Sequence, residues 1–435
     1  MWSFNRSGAL LFGVFHLCAF SLCLKGFAAP SSIVVVGAGV VSPIGQNTTQ
    51  FWANLRTRTS GIAPVRLFKP AQDYPFQYSA EVPLANGHLE AYLGTCPHVV
   101  MRLASIDRQS LLAVKASEEA VLSAGLLQED PEKKTWRLNL PADRVGVAIG
   151  STLGGPLTER AAGSRLLMGQ MFRAPSEVAF ALGADGFATC PVAACASGLH
   201  ATIVAAQTLR ASDADVMLAG ATDSQISEAS FTSRSAVLSR TGTVRPFDKD
   251  ADGIVLGEGA AVVALTRRDY AEQSGLKVRA TIAGYAARIG GNDLTRLYAE
   301  LVARTMRDAI EKAEIGPADI GAVFAHAPGT PVGDEAELKA IQHVFGLQRV
   351  PIVSLSSRLG HPLGPAGSMR LVAALNALET QFLPGNLNLN SPRPGSEVLH
   401  FVGKDGMELK EVRYILINSY GFGGHYSSMV LEREG

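Results

Sequence analysis

The stretch "PADRVGVAIGS", residues 141 to 151, returns as "PADIGAVFAHA" at 317 to 327, 176 residues later. Each copy offers a Pro-Ala-Asp turn and then an apolar run of the length and composition of a buried strand. A helical stretch precedes each copy. Before the first, Asp107 to Ser123 carries an apolar stripe at Leu111, Leu112, Ala116, Val121 and Leu122, with Asp107 as N-cap and Gly125 as stop. Before the second, Tyr298 to Ala313 is helical. Strand and helix then follow again on both sides, as "FATCPVAACASGLHATIVAAQTLR" (187 to 210) and "PIVSLSSRLGHPLGPAGSMRLVAAL" (351 to 375). The pattern predicts an internally duplicated α/β chain, with a first half over 32–275 and a second over 276–435. In such layered folds, loops from corresponding strand ends of the two halves meet, and ligands bind there.

Composition agrees with a turn-rich globular enzyme. Of 435 residues, 47% are hydrophobic and 18% charged, and 44 are glycine, which excludes a disordered or coiled-coil protein. The 39 basic and 39 acidic residues cancel, so nothing announces nucleic acid or an anionic membrane as a partner. Cys18, Cys23, Cys96, Cys190 and Cys195 form an odd, sparse set that does not read as a disulfide framework. A reducing, cytoplasmic setting is the default. No second Cys/His pair of zinc-like spacing accompanies Cys190 and Cys195, so no metal site is expected.

Residues 1–31 conflict with that default. Behind Arg6, positions 9 to 24 are apolar apart from His16, and "KGFAAP" follows, which resembles a weak signal peptide and leaves membrane association or export open. The run is too short for a comfortable membrane span. The preferred reading is a start read too early, because the first strand, "SIVVVGAGVV", begins at Ser32.

Cys195 lies between a strand expected over Phe187 to Ala193 and a helix with Leu199, Ile203, Ala206 and Leu209 on one face. Taken alone, a cysteine among alanines is more often core filling. The functional reading is a nucleophile at a helix N-terminus, where free N–H groups and the helix dipole would lower its pKa from about 8.5. Small neighbours, Ala193, Ala194, Ala196, Ser197 and Gly198, would let a substrate approach the sulfur. His326 ends "GAVFAH" and His361 sits in "RLGHPLGPAG"; each alone reads as an ordinary bonded histidine, yet both occupy the strand ends that duplication brings near Cys195. Gly421, Phe422, Gly423 and Gly424 form a turn whose N–H groups could serve an oxyanion or could simply close a β-hairpin. "GAGVVS" fails as a dinucleotide fingerprint, since Ser42 stands where the third glycine belongs, and it reads as a close-packed turn.

In order, "VVVGAGVVSPIG", "FWANLRTRTSGI", "ACASGLHA", "RPFDKDADGIVLGEGAAVV", "HAPGTPVGDEAE", "GHPLGPAG" and "NSYGFGG" resemble type II, elongating β-ketoacyl-acyl-carrier-protein synthases, from Ser32 to Glu434. The resemblance implies the thiolase fold, with five layers α-β-α-β-α. It implies that Cys195 takes the acyl chain as a thioester and that His326 and His361 promote malonyl decarboxylation and steady the enolate oxygen. It makes Phe422 the gating residue, with the N–H groups of Cys195 and Phe422 as the oxyanion hole. No cofactor is implied. Acyl carrier protein, in acyl and malonyl forms, is the implied partner, and a homodimer is expected, with a heterodimer as the alternative.

The chain also departs from that family. The lysine five residues before the second histidine is Ser356 here, and Glu337 matches the glutamate that pairs with it. Glu337 should therefore be protonated, solvated or paired elsewhere, with Arg358 as the candidate partner. "HAPGT" replaces "HGTGT", His425 and Tyr426 replace the usual Thr-Asn, and the chain is shorter between Gly284 and Tyr298. Three functions compete. A condensing enzyme of fatty-acid or specialised polyene or polyketide synthesis leads. A non-condensing partner like a chain-length factor is favoured by Ser356 and opposed by Cys195. A coenzyme A-dependent thiolase-like enzyme is weakest, because no cysteine follows Cys195.

Overall fold

The structure is a computed structural model that describes residues 31–84, 106–130, 135–154 and 170–435. Most of the segment 1–31, and Cys18, Cys23 and Cys96, lie outside the described residues. Eleven strands form one mixed sheet: β1 (Ile33–Val41), β2 (Val145–Gly150), β3 (Ala188–Thr189), β4 (Val216–Asp223), β5 (Gly259–Arg267), β6 (Ala280–Ile289), β7 (Ile320–Phe324), β8 (Pro351–Val353), β9 (His400–Phe401), β10 (Tyr414–Gly421) and β11 (His425–Arg433). Their spatial order is β9-β8-β7-β10-β11-β6-β1-β5-β4-β2-β3.

The duplication is visible in that order. Outward from the antiparallel β1–β6 seam, one half runs β1, β5, β4, β2, β3 and the other β6, β11, β10, β7, β8. In both, the first two pairings are antiparallel and the next two parallel. The repeated stretches at 141 and 317 supply β2 and β7, at equivalent places. Each is entered through a short 3-10 turn, Ala142–Arg144 or Pro317–Asp319.

The helices that complete the layers are α1 (Arg108–Ser123), α2 (Arg173–Leu182), α3 (Ser197–Arg210), α4 (Ala299–Lys312), α5 (Pro331–Phe345) and α6 (Ala366–Thr380). Leu199 and Leu209 of α3 and Leu371 and Leu375 of α6 share one core with Val35, Met217, Ile415 and Ile417 of both half-sheets. These two helices are the middle layer. Helix α6 buries every residue from Ala366 to Leu378, as a helix packed between sheets must. Helices α1 and α2 cover the outer face of the first half, and α4 and α5 that of the second. Five layers, α-β-α-β-α, result. At the start of α1, Asp107 accepts the Ser110 N–H at 2.9 Å, and beyond its end Gly125 takes φ +70°.

Two expectations need correction. "GAGVV" is not a turn but the second part of β1, which continues past a register shift between Val35 and Gly37. Its glycines serve helix approach, because a Cβ on Gly37 or Gly39 would overlap the Ala120 or Ala116 carbonyl of α1. The strand expected over Phe187–Ala193 shrinks to Ala188–Thr189 at the sheet edge. With a partner on one side only, the apolar run has little ladder to join, and Phe187 and Val192 stay exposed. Among the described residues, no helix is long and apolar enough to cross a membrane.

Candidate active site

Cys195 sits on a sharp turn two residues before the start of α3. Ala194 holds φ +47°, a left-handed conformation that costs a non-glycine residue about 1–3 kcal/mol. Ser197 holds the turn: its Oγ accepts the Ala193 N–H at 2.9 Å and donates to the Ala194 carbonyl at 2.7 Å. The second half repeats the geometry. Leu363, three residues before α6 as Ala194 is three before α3, has φ +61°, and Gly198 N–H donates to Gly364 O at 3.1 Å. The two middle helices thus begin side by side, and the Cys195 turn of one half faces its counterpart in the other.

That counterpart carries His361. Its N–H donates to Val255 O at 2.7 Å and its carbonyl accepts the Gly257 N–H at 3.0 Å, so the "GIVLGEG" segment serves as a seat for the histidine. His361 Nε2 lies 3.1 Å from Cys195 Sγ. His326, just beyond β7, stacks edge-on to His361 with ring centroids 5.4 Å apart, and Tyr420 stands 5.6 Å away. The structure therefore brings Cys195, His326 and His361 together.

Glu337, from α5, is buried and accepts the N–H groups of His326 at 2.9 Å and Ala327 at 2.7 Å. Asn418 Nδ2 adds a third donor at 3.2 Å. Arg358 is not its partner, contrary to expectation. Its guanidinium donates to the carbonyls of Gly385, Thr57 and Thr59. Ser356 is buried, and its N–H donates to Ser354 Oγ at 3.3 Å. Three residues earlier on α5, Asp334 accepts the Phe247 and Gly329 N–H groups, locking "HAPGT" onto "RPFDKD".

The glycine turn is a β-hairpin turn and also a wall of the site. Gly423 and Gly424 close it with φ +84° and +75°. Phe422 is 52% exposed at its tip. Gly421 packs directly on the Cys195 turn: a Cβ there would overlap Ala193 O and stand 3.0 Å from Cys195 N. The loop after β6 braces the turn, with Gly423 N–H on Leu294 O at 2.6 Å and Gly290 N–H on Gly424 O at 3.0 Å.

The electrostatics depart from the sequence-based expectation. Burial, with the nearby Asp223 charge, pushes the Cys195 thiol up to about 12, and the charges of Arg234 and Arg370 oppose this only in part. Burial also lowers His361 to about 3, aided by Arg370 and Arg234. His326 is held well below its ordinary value by burial, Arg370 and His361. The resting site is a neutral thiol beside two neutral imidazoles. Cys195, partly buried, packs against an apolar cluster of Phe76, Ile226, Phe231, Leu238, Ile254, Leu256 and Leu363. Among the described residues, no group of three or more His, Cys, Asp or Glu could hold a metal ion.

Sequence reasoning missed Arg370 and Ser419. Arg370 Nη2 lies 3.1 Å from His326 Nδ1, and Ser419 Oγ donates to Cys195 O at 2.9 Å. The signal for Arg370 was a lone charge within the apolar helix "AGSMRLVAALNAL"; for Ser419 there was none.

Comparisons with known proteins agree with this architecture. A family model described as "Beta-ketoacyl synthase, N-terminal domain" matches residues 31–271, and "Beta-ketoacyl synthase, C-terminal domain" matches 279–390. The 3-oxoacyl-(acyl-carrier-protein) synthase 2 of Coxiella burnetii is 32% identical, over 92% of this chain and 98% of that protein. The Rhizobium meliloti protein of the same name is 30% identical with the same coverage. Among solved structures, the ishigamide ketosynthase/chain length factor superposes with a TM-score of 0.83 at 27% identity, over 94% of this chain and 100% of that one. A type II PKS acyl-carrier protein in complex with its ketosynthase bound to the hexaketide gives 0.77 at 25% identity, over 93% and 100%. A duplicated thiolase fold, two family models that together span most of the chain, and relatives aligned over nearly their full length converge on one statement: this chain belongs to the beta-ketoacyl synthase family.

Proposed function

We propose that the chain catalyses decarboxylative Claisen condensation of an acyl thioester on Cys195 with malonyl-acyl carrier protein. The observation that carries this reading is the 3.1 Å contact between Cys195 Sγ and His361 Nε2, with the His326 ring beside it. A thiol with a pKa near 12 needs a base, and a neutral His361 is one. In loading, Sγ attacks the acyl carbonyl carbon while its proton passes to His361, and the carrier-protein thiol leaves with that proton. In condensation, the C–CO2 bond of the malonyl group breaks, and imidazole N–H donors of His326 and of His361, the latter after its ring proton has exchanged from Nδ1 to Nε2, steady the enolate oxygen. The carbanion then attacks the acyl carbon, and the Cys195 thiolate leaves and takes one proton from solvent. The products are a β-ketoacyl-carrier protein and carbon dioxide. The apolar cluster around Cys195 suits a hydrocarbon chain.

In this reading Gly421, Phe422 and Gly423 form the gating turn, and the N–H groups of Cys195 and Phe422 receive the thioester oxyanion. The partner is acyl carrier protein, and the working unit a homodimer. A second reading, a non-condensing partner of another ketosynthase in a heterodimer, is favoured by Ser356 in the place of the family lysine. It also fits the chain's likeness to a ketosynthase/chain length factor structure.

One experiment separates the two. The full chain, incubated with acyl- and malonyl-acyl carrier proteins and followed by mass spectrometry, should acylate Cys195 and release β-keto product, and Cys195→Ala should do neither. Loading without product would favour the partner-dependent reading. Absence of loading across acyl lengths would overturn both catalytic steps.

A further inference from the structure

We infer that Arg370 is a positioning residue that holds His326 as the neutral Nε2–H tautomer, supplying from α6 the buried cation that Ser356 does not supply. The inference rests on the condensing reading for its kinetic consequence and on geometry for its placement. A guanidinium carries five N–H donors and no acceptor. Its Nη2 stands 3.1 Å from His326 Nδ1, so Nδ1 must present a lone pair, and a neutral ring then carries its proton on Nε2. The tautomer with Nε2–H free is the one that can donate to an enolate oxygen.

The guanidinium is itself held in place. Arg370 is 2% exposed, its Nε donates to Asn418 O at 3.1 Å, and Nη2 also reaches Ser419 Oγ at 3.1 Å. Ser419 Oγ donates onward to Cys195 O. One side chain therefore connects the first histidine to the nucleophile turn. The groups around the His326 ring are Arg370 from α6, His361 from the turn before α6, and Tyr420 from β10, with the Glu337 carboxylate on the backbone N–H side. Tyr420 remains a neutral phenol, since burial and Glu337 raise it well above its ordinary value. The charges of Arg370 and Glu337 act on each other. A proton on Nδ1 would face a cation at hydrogen-bond distance, so acid is resisted at the ring nitrogen that does not meet substrate.

The test combines tautomer and turnover in the full chain. Histidine side-chain 15N NMR should show His326 with unprotonated Nδ1 and protonated Nε2, without titration across roughly pH 5 to 8. In Arg370→Met, the ring should gain the second tautomer, and its titration should begin at a higher pH than in the wild-type chain, with burial still holding it below the ordinary value. Malonyl-acyl carrier protein decarboxylation at neutral pH should then fall about 10-fold or more, with its acid limb moved up by about one pH unit. Arg370→Lys, or Ser356→Lys added to Arg370→Met, should restore most of the rate and the acid limb. A protonated Nδ1 in the wild-type chain, or an unchanged His326 signal and pH profile in folded Arg370→Met, would overturn the inference. If Arg370→Met does not fold, the wild-type tautomer and the Arg370→Lys profile decide the question. A wild-type chain that never decarboxylates malonyl-carrier protein would overturn the condensing reading instead, and the NMR result would still support or overturn the placement of Arg370.

Discussion

At the scale of a single residue, Cys195 shows how position and environment can oppose each other. A thiol near a helix N-terminus is expected to ionise easily. Here the sulfur is taken from water, Asp223 lies close enough to act on it, and the net result is a thiol at about 12. The thiolate fraction then grows with pH throughout the neutral range. Alkylation of Cys195 by iodoacetamide in the free protein, read by peptide mass mapping, should therefore rise about tenfold per pH unit from about pH 7 to 9. A plateau below pH 8 would mean that a thiolate already exists at neutrality and that the helix terminus outweighs burial. The position of Cys195 was legible in the motif "ACASG"; its proton was not, because burial by remote segments and the charges of Asp223 and Arg370 act on it only once the chain has folded.

At the scale of an element, the hairpin β10–β11 does more than close the sheet. Its turn touches the Cys195 turn at Gly421, where no side chain fits between the two backbones. Gly421→Ala should push the turns apart by several tenths of an ångström and cost about 1–3 kcal/mol in overpacking. Acyl loading should fall by up to about 100-fold, since a displacement near 1 Å at reacting atoms costs that much. Mass-spectrometric loading rates beside thermal melting curves check this. Equal loading at a lowered melting point would make Gly421 a packing residue only. Elements with strong periodicity, such as α1 with its Asp107 cap, were legible in the sequence. The strand over Phe187–Ala193 was not, because an apolar run does not show that it lies at a sheet edge with one neighbour.

At the scale of the whole molecule, Arg358 is the clearest example of a residue whose role lies in joining distant segments. It is fully buried and donates to the carbonyls of Thr57, Thr59 and Gly385, while its own carbonyl accepts the Gly61 N–H. Arg358→Met would leave those buried carbonyls without a donor. It should lower unfolding stability by roughly 3 kcal/mol, seen as a fall in the urea midpoint. A change below about 0.5 kcal/mol would mean that water replaces the guanidinium at little cost.

The sequence by itself determined the duplication, the identity of the three side chains that meet in the candidate site and the order in which they lie along the chain. Repeated strand and helix signals are local, and Cys195, His326 and His361 each stand in a short motif that local backbone chemistry explains. Only the tertiary structure decided that Glu337 binds amides rather than Arg358, that Arg370 faces His326, and that the resting thiol is neutral. Those outcomes depend on which buried charges and dipoles end within a few ångströms of one another. Such distances are set by the packing of α6 between two half-sheets, and the separation of residues along the chain does not contain them.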